Sequence, residues 1–521
     1  MNPRFYPLLL TIALLLGLNA CSTTGSRPAA DVYTEQGLPT QTDTTDREFE
    51  EQSYDVRRES FELSLAELGE LSRSISSYQP ELALEIVRSL ESVPSGQLIT
   101  MIDSQLYDPE FTEWLELALQ IRLVLINKDS VSTAAHNWAN YHYGHVVTQA
   151  NFPDLVSRYA SFFPAPSQVA ILLPAEGGLA AAGQAIRDGI LSAYLEQPGG
   201  SAIRFYSSGD NSESAIGAYR QAREDGATHI VGPLRIESTQ ALANFQNEDV
   251  PILLLNKPAG IRTVNPGQAS IVRSLSLSQT DEAAAIAGNA LAQGQKRAIV
   301  IVPDSTWGKR IEAAFTAVFE QGEGTVSAAT YFNPATSDHS ATLTQVLKID
   351  ESKQREADLQ ARLGIPLVFE PIRRDDFDFI FLAANPSQGR ELKPLLRFHD
   401  TGDIPVYAMS RVFSGKVERA SDQDLNGVIF AATPWQLQTS DDAMVNLSSI
   451  RSGAFGNLYA LGQDAWRLLP WLGLMQKDPD LWFPGNIGAL RLQADGNLYR
   501  QPAWAQFSAG RPIPYQWPGS D

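Results

Sequence analysis

The spacing of hydrophobic and polar positions divides the chain into two regions. Between residues 55 and 163 the apolar residues recur every three to four positions, which is the pattern of amphipathic helices. Two faces show it most clearly: Leu82, Ala83, Ile86, Val87 and Leu90, and Trp114, Leu115, Ala118, Ile121 and Leu125. Pro80 and Pro109 stand where helices can begin. The pattern predicts antiparallel helical hairpins of a TPR-like kind, with a plain helical bundle as the alternative.

From residue 168 the pattern changes to short apolar runs that alternate with amphipathic segments. The predicted strands are 169–173, 202–206, 229–231, 251–255, 298–302, 377–384 and 405–408, and the predicted helices are 179–194, 213–224, 238–246, 280–292, 309–321 and 388–400. Such alternation is typical of parallel sheets with helices on both faces. About 350 residues are too many for one sheet domain, so we expect an α/β domain of two lobes over residues 164–521. The two prolines of Phe162-Phe163-Pro164-Ala165-Pro166 indicate the boundary with the helical domain, residues 51–163.

The first 21 residues have the pattern of a processed leader. Arg4 precedes an apolar run over residues 8–18, which is shorter than the roughly 20 residues that a membrane-spanning helix needs. This predicts a signal peptide over residues 1–20. The run ends in Leu18-Asn19-Ala20-Cys21, which resembles the bacterial lipobox, in which the cysteine is acylated. Cys21 is the only cysteine of the chain, and acylation removes the problem of a lone thiol in an oxidising compartment. An ordinary signal peptide with an accidental cysteine is the alternative.

The residues that follow Cys21 are too polar to fold alone. Residues 21–50 are rich in Ser, Thr, Asp, Glu and Gly, and we expect them to form a flexible tether. The chain as a whole has 43% hydrophobic residues, which is ordinary for globular domains. Its formal net charge of -20 makes binding to nucleic acid unfavourable, because the phosphate backbone is also anionic.

Several short motifs occur in an order that is similar to a known family. They are Leu172-Leu173-Pro174 with Gly177-Gly178 and Ala181-Ala182-Gly183-Gln184-Ala185-Ile186; Val231-Gly232-Pro233-Leu234; Pro303-Asp304-Ser305-Thr306-Trp307-Gly308; the run from Arg373 to Ala384; and Gly485-Asn486-Ile487-Gly488 with Asp495-Gly496. The first group resembles the opening of type I periplasmic binding domains. With the lipobox and the helical region, the set resembles the LpoA family, outer-membrane lipoproteins that activate a class A penicillin-binding protein. The helical region is shorter than we expect for that family.

The resemblance implies a periplasmic regulator of peptidoglycan synthesis whose partner is a class A penicillin-binding protein and which stimulates its transpeptidase activity. It also implies a lipid anchor in the outer membrane, and Ser22 agrees with this because an aspartate after the cysteine is typical of inner-membrane retention. A lipid-anchored receptor for a small solute, such as an amino acid or a peptide, is the alternative function. A scaffold with no regulatory role is a third.

A ligand-binding cleft is expected where the carboxyl ends of the strands meet. The candidate cleft residues are Glu176, Gly177, Gly178, Pro233, Ser238, Thr239, Asp304, Ser305 and Trp307. Backbone N–H groups at the start of the helix near Leu179 are suited to hold a carboxylate. The alternative is that the glycines only form a turn and the serines only cap helices.

No catalytic motif is apparent. The chain has no Ser-x-x-Lys, no Gly-x-Ser-x-Gly and no phosphate-binding loop that ends in Lys-Ser or Lys-Thr. His136, His142 and His145 lie close in sequence without a His-Glu-x-x-His motif, and packing histidines are the favoured interpretation over a metal site. We therefore expect no enzymatic activity, no metal and no cofactor.

Overall fold

The structure is a computed structural model that describes residues 64–127, 130–196, 200–244, 250–258, 271–438, 453 and 455–517. The predicted signal peptide, the predicted acylation site Cys21 and the predicted tether lie outside the described residues. Within them, no helix combines the length and apolar character needed to cross a membrane.

The described part of the helical domain contains six helices: α1 (Leu65–Ser74), α2 (Pro80–Ser89), α3 (Ser95–Ser104), α4 (Pro109–Ile126), α5 (Val131–Tyr141) and α6 (Phe152–Ala160). Pro80, Pro109 and Pro153 lie in the first turns of α2, α4 and α6, where proline costs no hydrogen bond. The side chain of Asp108 caps α4 by accepting a hydrogen bond from the backbone N–H of Phe111. The apolar faces pack into one core around Trp114, which is 2% exposed.

Lobe I begins after the linker at residues 161–167. Its elements are β1 (Gln168–Leu173), α7 (Ala180–Glu196), β2 (Ala202–Ser207), α8 (Ser212–Glu224), β3 (His229–Val231), α9 (Ile236–Leu242), β4 (Ile252–Leu254) and β5 (Val272–Ser274). The strands form a parallel sheet in the order β2-β1-β3-β4-β5. The interior strand β1 is buried from Val169 to Leu173, which explains its continuous apolar run.

Lobe II follows with a larger sheet. Its elements are α10 (Gln279–Ala292), β6 (Arg297–Pro303), α11 (Thr306–Gln321), β7 (Thr325–Phe332), α12 (Ser340–Val346), α13 (Ile349–Leu363), β8 (Phe379–Leu382), α14 (Pro386–Phe398), β9 (Val406–Ala408), α15 (Arg419–Asp422) and β10 (Val428–Ala432). The sheet order is β15-β14-β10-β9-β8-β6-β7, in which β14 (Ala503–Ser508) and β15 (Arg511–Pro514) are antiparallel additions from the end of the chain.

The chain returns to lobe I between β10 and β14. The elements of this part are α16 (Pro434–Leu437), α17 (Gly456–Leu468), α18 (Leu472–Lys477) and the small sheet of β11 (Phe483–Pro484), β12 (Ala489–Leu492) and β13 (Leu498–Gln501). Their apolar residues join the core of lobe I beside β1 and α7. The chain therefore crosses between the lobes three times, after β5, after β10 and after β13, as in a hinged two-lobed domain.

The helical domain is attached to lobe I through a buried ion pair. Arg122 of α4 contacts Asp478, which follows α18, at 2.7 Å, and their side chains are 1% and 0% exposed. Asp478 also accepts a hydrogen bond from the backbone N–H of Ser95 at 3.0 Å. Beside this pair, Lys477 contacts Glu91 at 2.8 Å, and Ile126 at the end of α4 packs into the core of lobe I. These contacts join the two domains directly, in addition to the linker.

The predicted alternation agrees closely with these elements. The strand predicted at 229–231 is β3, and the helix predicted at 280–292 is α10, which begins one residue earlier. The sequence pattern did not indicate β5, β7, β10 or the strands after residue 480. β5 has only three residues, β7 is half-buried and the strands after residue 480 are antiparallel, so these lack a long continuous apolar run of the kind seen in β1. In contrast, β10 is a continuous apolar run that is fully buried, and this signal would have indicated it.

Candidate functional site

A cavity of about 340 Å³ lies where the chain crosses between the lobes. It opens at the carboxyl ends of β8, β9 and β10, close to the first residues after β5. Its walls are formed by Leu277, Gln279, Glu282, Asn385, Pro386, Ser410, Arg411, Phe413, Ser414, Thr433, Gln436, Gly453, Asn457 and Arg500. This is the position at which open α/β sheets bind ligands, since strand ends and helix starts converge there.

A buried ion pair forms one wall of this interlobe cavity. Arg500 of β13 lies 3.3 Å from Glu282 of α10, and both side chains are about 5% exposed. The other oxygen of Glu282 accepts a hydrogen bond from the backbone N–H of Ser410 at 2.7 Å, and Arg500 donates to the carbonyl oxygen of Ile487 at 3.2 Å. The negative charge of Glu282 is thus compensated by Arg500 and by the hydrogen bond from Ser410. Glu282 of α10 thereby links β13, which precedes the third crossing, to the residues that follow β9.

Next to this pair, the lining of the cavity includes a cation, Arg411, without an acidic partner among the described residues. The guanidinium of Arg411 lies 4.6 Å from the ring centroid of Trp307, within the range of a cation–π contact. Asn385 caps the adjacent helix α14 and accepts a hydrogen bond from the N–H of Gln388. A cation and a helix N-terminus at one wall suit a carboxylate or another small anion better than a cation.

The candidate residues of lobe I do not line this cavity. Glu176, Gly177 and Gly178 form the exposed turn between β1 and α7. At Gly177, where φ is +75°, a Cβ would lie 2.4 Å from Asp210, so the turn requires glycine. Pro233, Ser238 and Thr239 are buried, and Thr239 donates a hydrogen bond to the carbonyl oxygen of Ile236 inside α9.

The candidate residues of lobe II have mainly local roles. Ser305 caps α11, and exposed Asp304 pairs with Lys309 at 3.2 Å. Trp307 is the one candidate in contact with the cavity walls. The guanidinium of Arg411 stacks on its ring, and its Nε1 donates a hydrogen bond to Gln279 at 2.7 Å. The three candidates Asp304, Ser305 and Trp307 therefore lie together at the start of α11, and they do not lie with the turn at Glu176.

Sequence reasoning missed the residues that line the cavity. Asn385, Ser410 and Thr433 each follow a strand of lobe II at its carboxyl end, and this position is the signal that would have indicated them. Arg500 had no such signal, because β13 belongs to a small antiparallel sheet that the pattern did not predict.

Of the three histidines of the helical domain, His142 and His145 are packing residues and His136 is exposed. His142 stacks on Trp138 with ring centroids 3.7 Å apart, and His145 contacts both Trp114 and Trp138 edge to face. Burial lowers the pKa of His142 and of His145 to about 4. Within the described part of the chain, no group of three or more His, Cys, Asp or Glu side chains is placed to hold a metal ion.

Comparison with known proteins gives similarity over nearly the whole chain. A penicillin-binding protein activator LpoA of Vibrio vulnificus is 24% identical over 473 residues, which cover 88% of this chain and 76% of that protein. The LpoA of Photobacterium profundum is 24% identical over 76% of this chain and 65% of its own length.

Solved structures show the same fold. Full-length LpoA of Haemophilus influenzae superposes with a TM-score of 0.54 at 20% identity, covering 87% of this chain and 78% of that one. Its C-domain, described as a regulator of PBP1A, gives a TM-score of 0.52 at 22% identity and covers 67% of this chain and all of that one. The predicted class, a helical domain followed by a two-lobed periplasmic-binding-protein-like domain, is confirmed.

A family model gives the assignment. The model of the LppC lipoproteins matches residues 54–510, a span that includes the helical domain and both lobes. Because this match covers most of the 521 residues, the chain belongs to the LppC lipoprotein family.

Proposed function

We propose that this chain binds a class A penicillin-binding protein in the periplasm and stimulates its transpeptidase activity. The observation that carries the proposal is the colinear similarity to named penicillin-binding protein activators over 473 residues, which include both domains. The two-domain fold of an LpoA protein supports it. The chain acts here as a regulator, and the synthase supplies the catalytic groups.

The test is a transpeptidation assay with the purified class A synthase and lipid-linked substrate. Adding the chain from residue 22 onward should increase the fraction of cross-linked product, and the chain alone should form none. A control variant of the synthase without its transpeptidase nucleophile should give no cross-links in either case. Unchanged cross-linking, together with no detectable binding to the synthase, contradicts the proposal.

The anchor belongs to the same proposal. Acylation of Cys21 holds the protein at a membrane, and Ser22 in the following position favours the outer membrane. Cys21→Ala should abolish labelling with palmitate and leave an unprocessed chain, whereas Ser22→Asp should keep the label and shift the protein to the inner-membrane fraction. Palmitate labelling that persists in Cys21→Ala contradicts the anchor.

The interlobe cavity favours a second candidate function, that of a receptor for a small anionic solute such as an amino acid or a peptide. Its support is the cavity of about 340 Å³ and the guanidinium of Arg411 at its wall. Of the nine candidate cleft residues, Trp307 would then contribute, because it contacts Arg411 and Gln279 of the cavity walls. Calorimetry against amino acids and short peptides tests this function, with Arg411→Ala as the variant that should lose binding. If no solute gives a heat of binding, the receptor function is wrong and the activator function is the one proposal that remains.

A further inference from the structure

The interlobe cavity is lined by several side-chain amides, among them those of Gln279, Asn385 and Gln436. The two ends of such an amide differ, because the oxygen accepts hydrogen bonds and the NH2 group donates them. The end that is left free for the cavity therefore determines which ligand groups the amide can bind. The neighbours of each amide settle which end that is.

Two of these amides have their oxygen engaged by a group that can only donate. Oε1 of Gln279 accepts a hydrogen bond from Nε1 of Trp307 at 2.7 Å. Oδ1 of Asn385 accepts a hydrogen bond from the backbone N–H of Gln388 at 2.9 Å. Exchange of oxygen and nitrogen in either amide would place two donors against each other, so the orientation of both amides is fixed.

The amides near the second crossing are arranged in the same way. Oε1 of Gln436 accepts a hydrogen bond from the backbone N–H of Thr433 at 3.3 Å, and Oδ1 of Asn457 accepts one from the hydroxyl of Thr433 at 2.9 Å. The NH2 groups of all four amides have no acceptor among the described residues. The cavity is therefore lined by amide donors whose oxygens are already used.

The carboxylate in the lining is also engaged. Glu282 is the one acidic residue that lines the cavity within the described part of the chain, and it is paired with Arg500 and with the backbone N–H of Ser410. The described lining thus offers several donors and no free carboxylate or amide oxygen. An ammonium group placed there would lose water without gaining a matching acceptor, which is unfavourable for a charged group.

Arg411 adds a positive charge to these donors. Its guanidinium is exposed at the cavity and held against Trp307, 4.6 Å from the ring centroid. A guanidinium and neighbouring N–H donors complement the oxygens of a carboxylate. The net charge of -20 repels anions from the chain as a whole, so convergent donors of this kind are needed to hold one.

We propose that the interlobe cavity binds a small carboxylate that bears no free ammonium group, such as a dicarboxylate or an N-acylated amino acid. Arg411 and the amide nitrogens of Gln279 and Asn385 donate to its oxygens. The cavity volume of about 340 Å³ accommodates a ligand of this size. This inference rests on the proposed receptor function for the presence of a ligand, and it narrows that function by excluding free amino acids.

The experiment measures by calorimetry the Kd of three matched probes for the chain from residue 22 onward. Succinate and L-aspartate differ by one ammonium group, and N-acetyl-L-aspartate keeps the amino nitrogen without its charge. Succinate and N-acetyl-L-aspartate should each bind at least about tenfold more tightly than L-aspartate, because the ammonium group finds no free acceptor.

Asn385→Asp tests the orientation of the amide. Aspartate caps a helix as well as asparagine does, so α14 keeps its cap while a carboxylate oxygen replaces the free NH2 group. The Kd for succinate should rise at least about tenfold, because like charges then meet. The preference for succinate over L-aspartate should also shrink, since the new carboxylate accepts hydrogen bonds from an ammonium group. A merely structural disturbance would weaken all three probes alike.

The matched control is Asn211→Asp in lobe I. Asn211 caps α8 by accepting a hydrogen bond from the backbone N–H of Ser214 at 2.9 Å, and it does not line the cavity. This variant makes the same change of charge at the same helix position, and it should bind the three probes as the unmodified chain does. Arg411→Gln removes the cation and should raise the Kd for succinate at least about tenfold, with an unchanged melting temperature.

The outcomes separate this inference from the functions proposed above. If L-aspartate or another free amino acid binds as tightly as succinate, the ligand class is wrong while the receptor function stands. If Asn385→Asp and Arg411→Gln both bind succinate as the unmodified chain does, the cavity is not the site and the inference is wrong. If no solute binds, the inference and the receptor function fall together, whereas the activator function is decided separately by the cross-linking assay.

Discussion

Arg122 and Asp478 form an ion pair between residues that are 356 positions apart in the chain. Arg122 also donates to the carbonyl oxygens of Leu90 at 2.5 Å and Val93 at 2.8 Å. Removal of two charges from water is costly, and here the cost is offset because the guanidinium and the carboxylate have several hydrogen bonds each. The pair therefore fixes the orientation of the helical domain on lobe I, and either residue alone would be a buried charge without compensation.

Arg122→Ala should destabilise the protein strongly, by about 3–5 kcal/mol, because Asp478 would stay buried without its cation. Arg73→Ala is the control, since the pair of Arg73 with Asp108 is largely exposed at 49% and 37%. Such exposed pairs contribute about 0–1 kcal/mol. Urea denaturation of the three chains measures the difference in free energy of unfolding. Equal losses for the two variants would show that the buried pair is unimportant.

The environment of His145 predicts a loss of stability in acid. Burial between Trp114 and Trp138 lowers the pKa of His145 to about 4, against an ordinary value near 6.5. Between these two values the unfolded state binds more protons than the folded state. Stability is therefore complete above pH 6.5 and decreases as the pH falls towards 4. Glu113 and Glu116, whose pKa values burial raises, act in the opposite direction at lower pH.

The measurement is the melting temperature between pH 7 and pH 4.5 for the unmodified chain and for His145→Gln. The variant should show a smaller decrease over this interval, because one buried basic group no longer needs to stay neutral. An NMR titration of the His145 ring should give a midpoint well below 6. A midpoint near 6.5 would contradict the burial argument.

At the scale of elements, the closest contact in lobe I is made by two helices through glycines. A Cβ on Gly189 of α7 would lie 1.9 Å from the carbonyl oxygen of Tyr459, and a Cβ on Gly462 of α17 would lie 2.2 Å from that of Ile186. The absence of side chains lets α17, which enters after the second crossing, pack directly against α7. The return of the chain to lobe I depends on this contact.

Gly189→Ala should destabilise the protein by about 1–3 kcal/mol, although alanine is the better helix former, because the two helices would have to separate. Gly217→Ala in α8 is the control, since nothing lies within 4 Å of its Cβ position. This control should be neutral or should stabilise by about 0.5–1 kcal/mol. Thermal unfolding measures whether each variant is less or more stable than the unmodified chain. A stabilised Gly189→Ala would show that the helices adjust without cost.

At the scale of the whole molecule, residues 164–521 should fold without the helical domain, because both lobes have their own cores. The fragment loses the contacts of Arg122 and Ile126 with lobe I, so its melting temperature should be several degrees lower than that of the full chain. Circular dichroism and a melting curve test this. An unfolded fragment beside a folded full chain would show that the boundary at residue 164 is wrong.

The same fragment tests which domain activates the synthase. Residues 164–521 should raise cross-linking and residues 22–163 should not, because the motifs that carry the family resemblance lie between residues 172 and 496. The helical domain then provides reach and raises the local concentration of the activator. Stimulation by the helical fragment alone would overturn this division of roles.

Much of the fold was predictable because it depends on local periodicity. The buried run from Val169 to Leu173 is visible in the sequence as a continuous apolar stretch, and the helix that follows is visible because its apolar residues recur at about 3.6 positions. The strand β7 was missed because its burial is mixed, and β14 because it pairs antiparallel with β10. Of the predicted cleft residues, Trp307 alone contacts the cavity walls, while Ser305 and Gly177 serve a helix cap and a turn.

The sequence by itself determined the two classes of domain and the alternation of strands and helices, because each is encoded in neighbouring residues; the boundary at residue 164 and the lipid anchor at Cys21 stay predictions. Only the tertiary structure decided the pairing of Arg122 with Asp478 and the pairing of Glu282 with Arg500 at the interlobe cavity. Those features join residues hundreds of positions apart. A periodic pattern does not contain this information, because it specifies which face of an element is apolar and not which partner covers it.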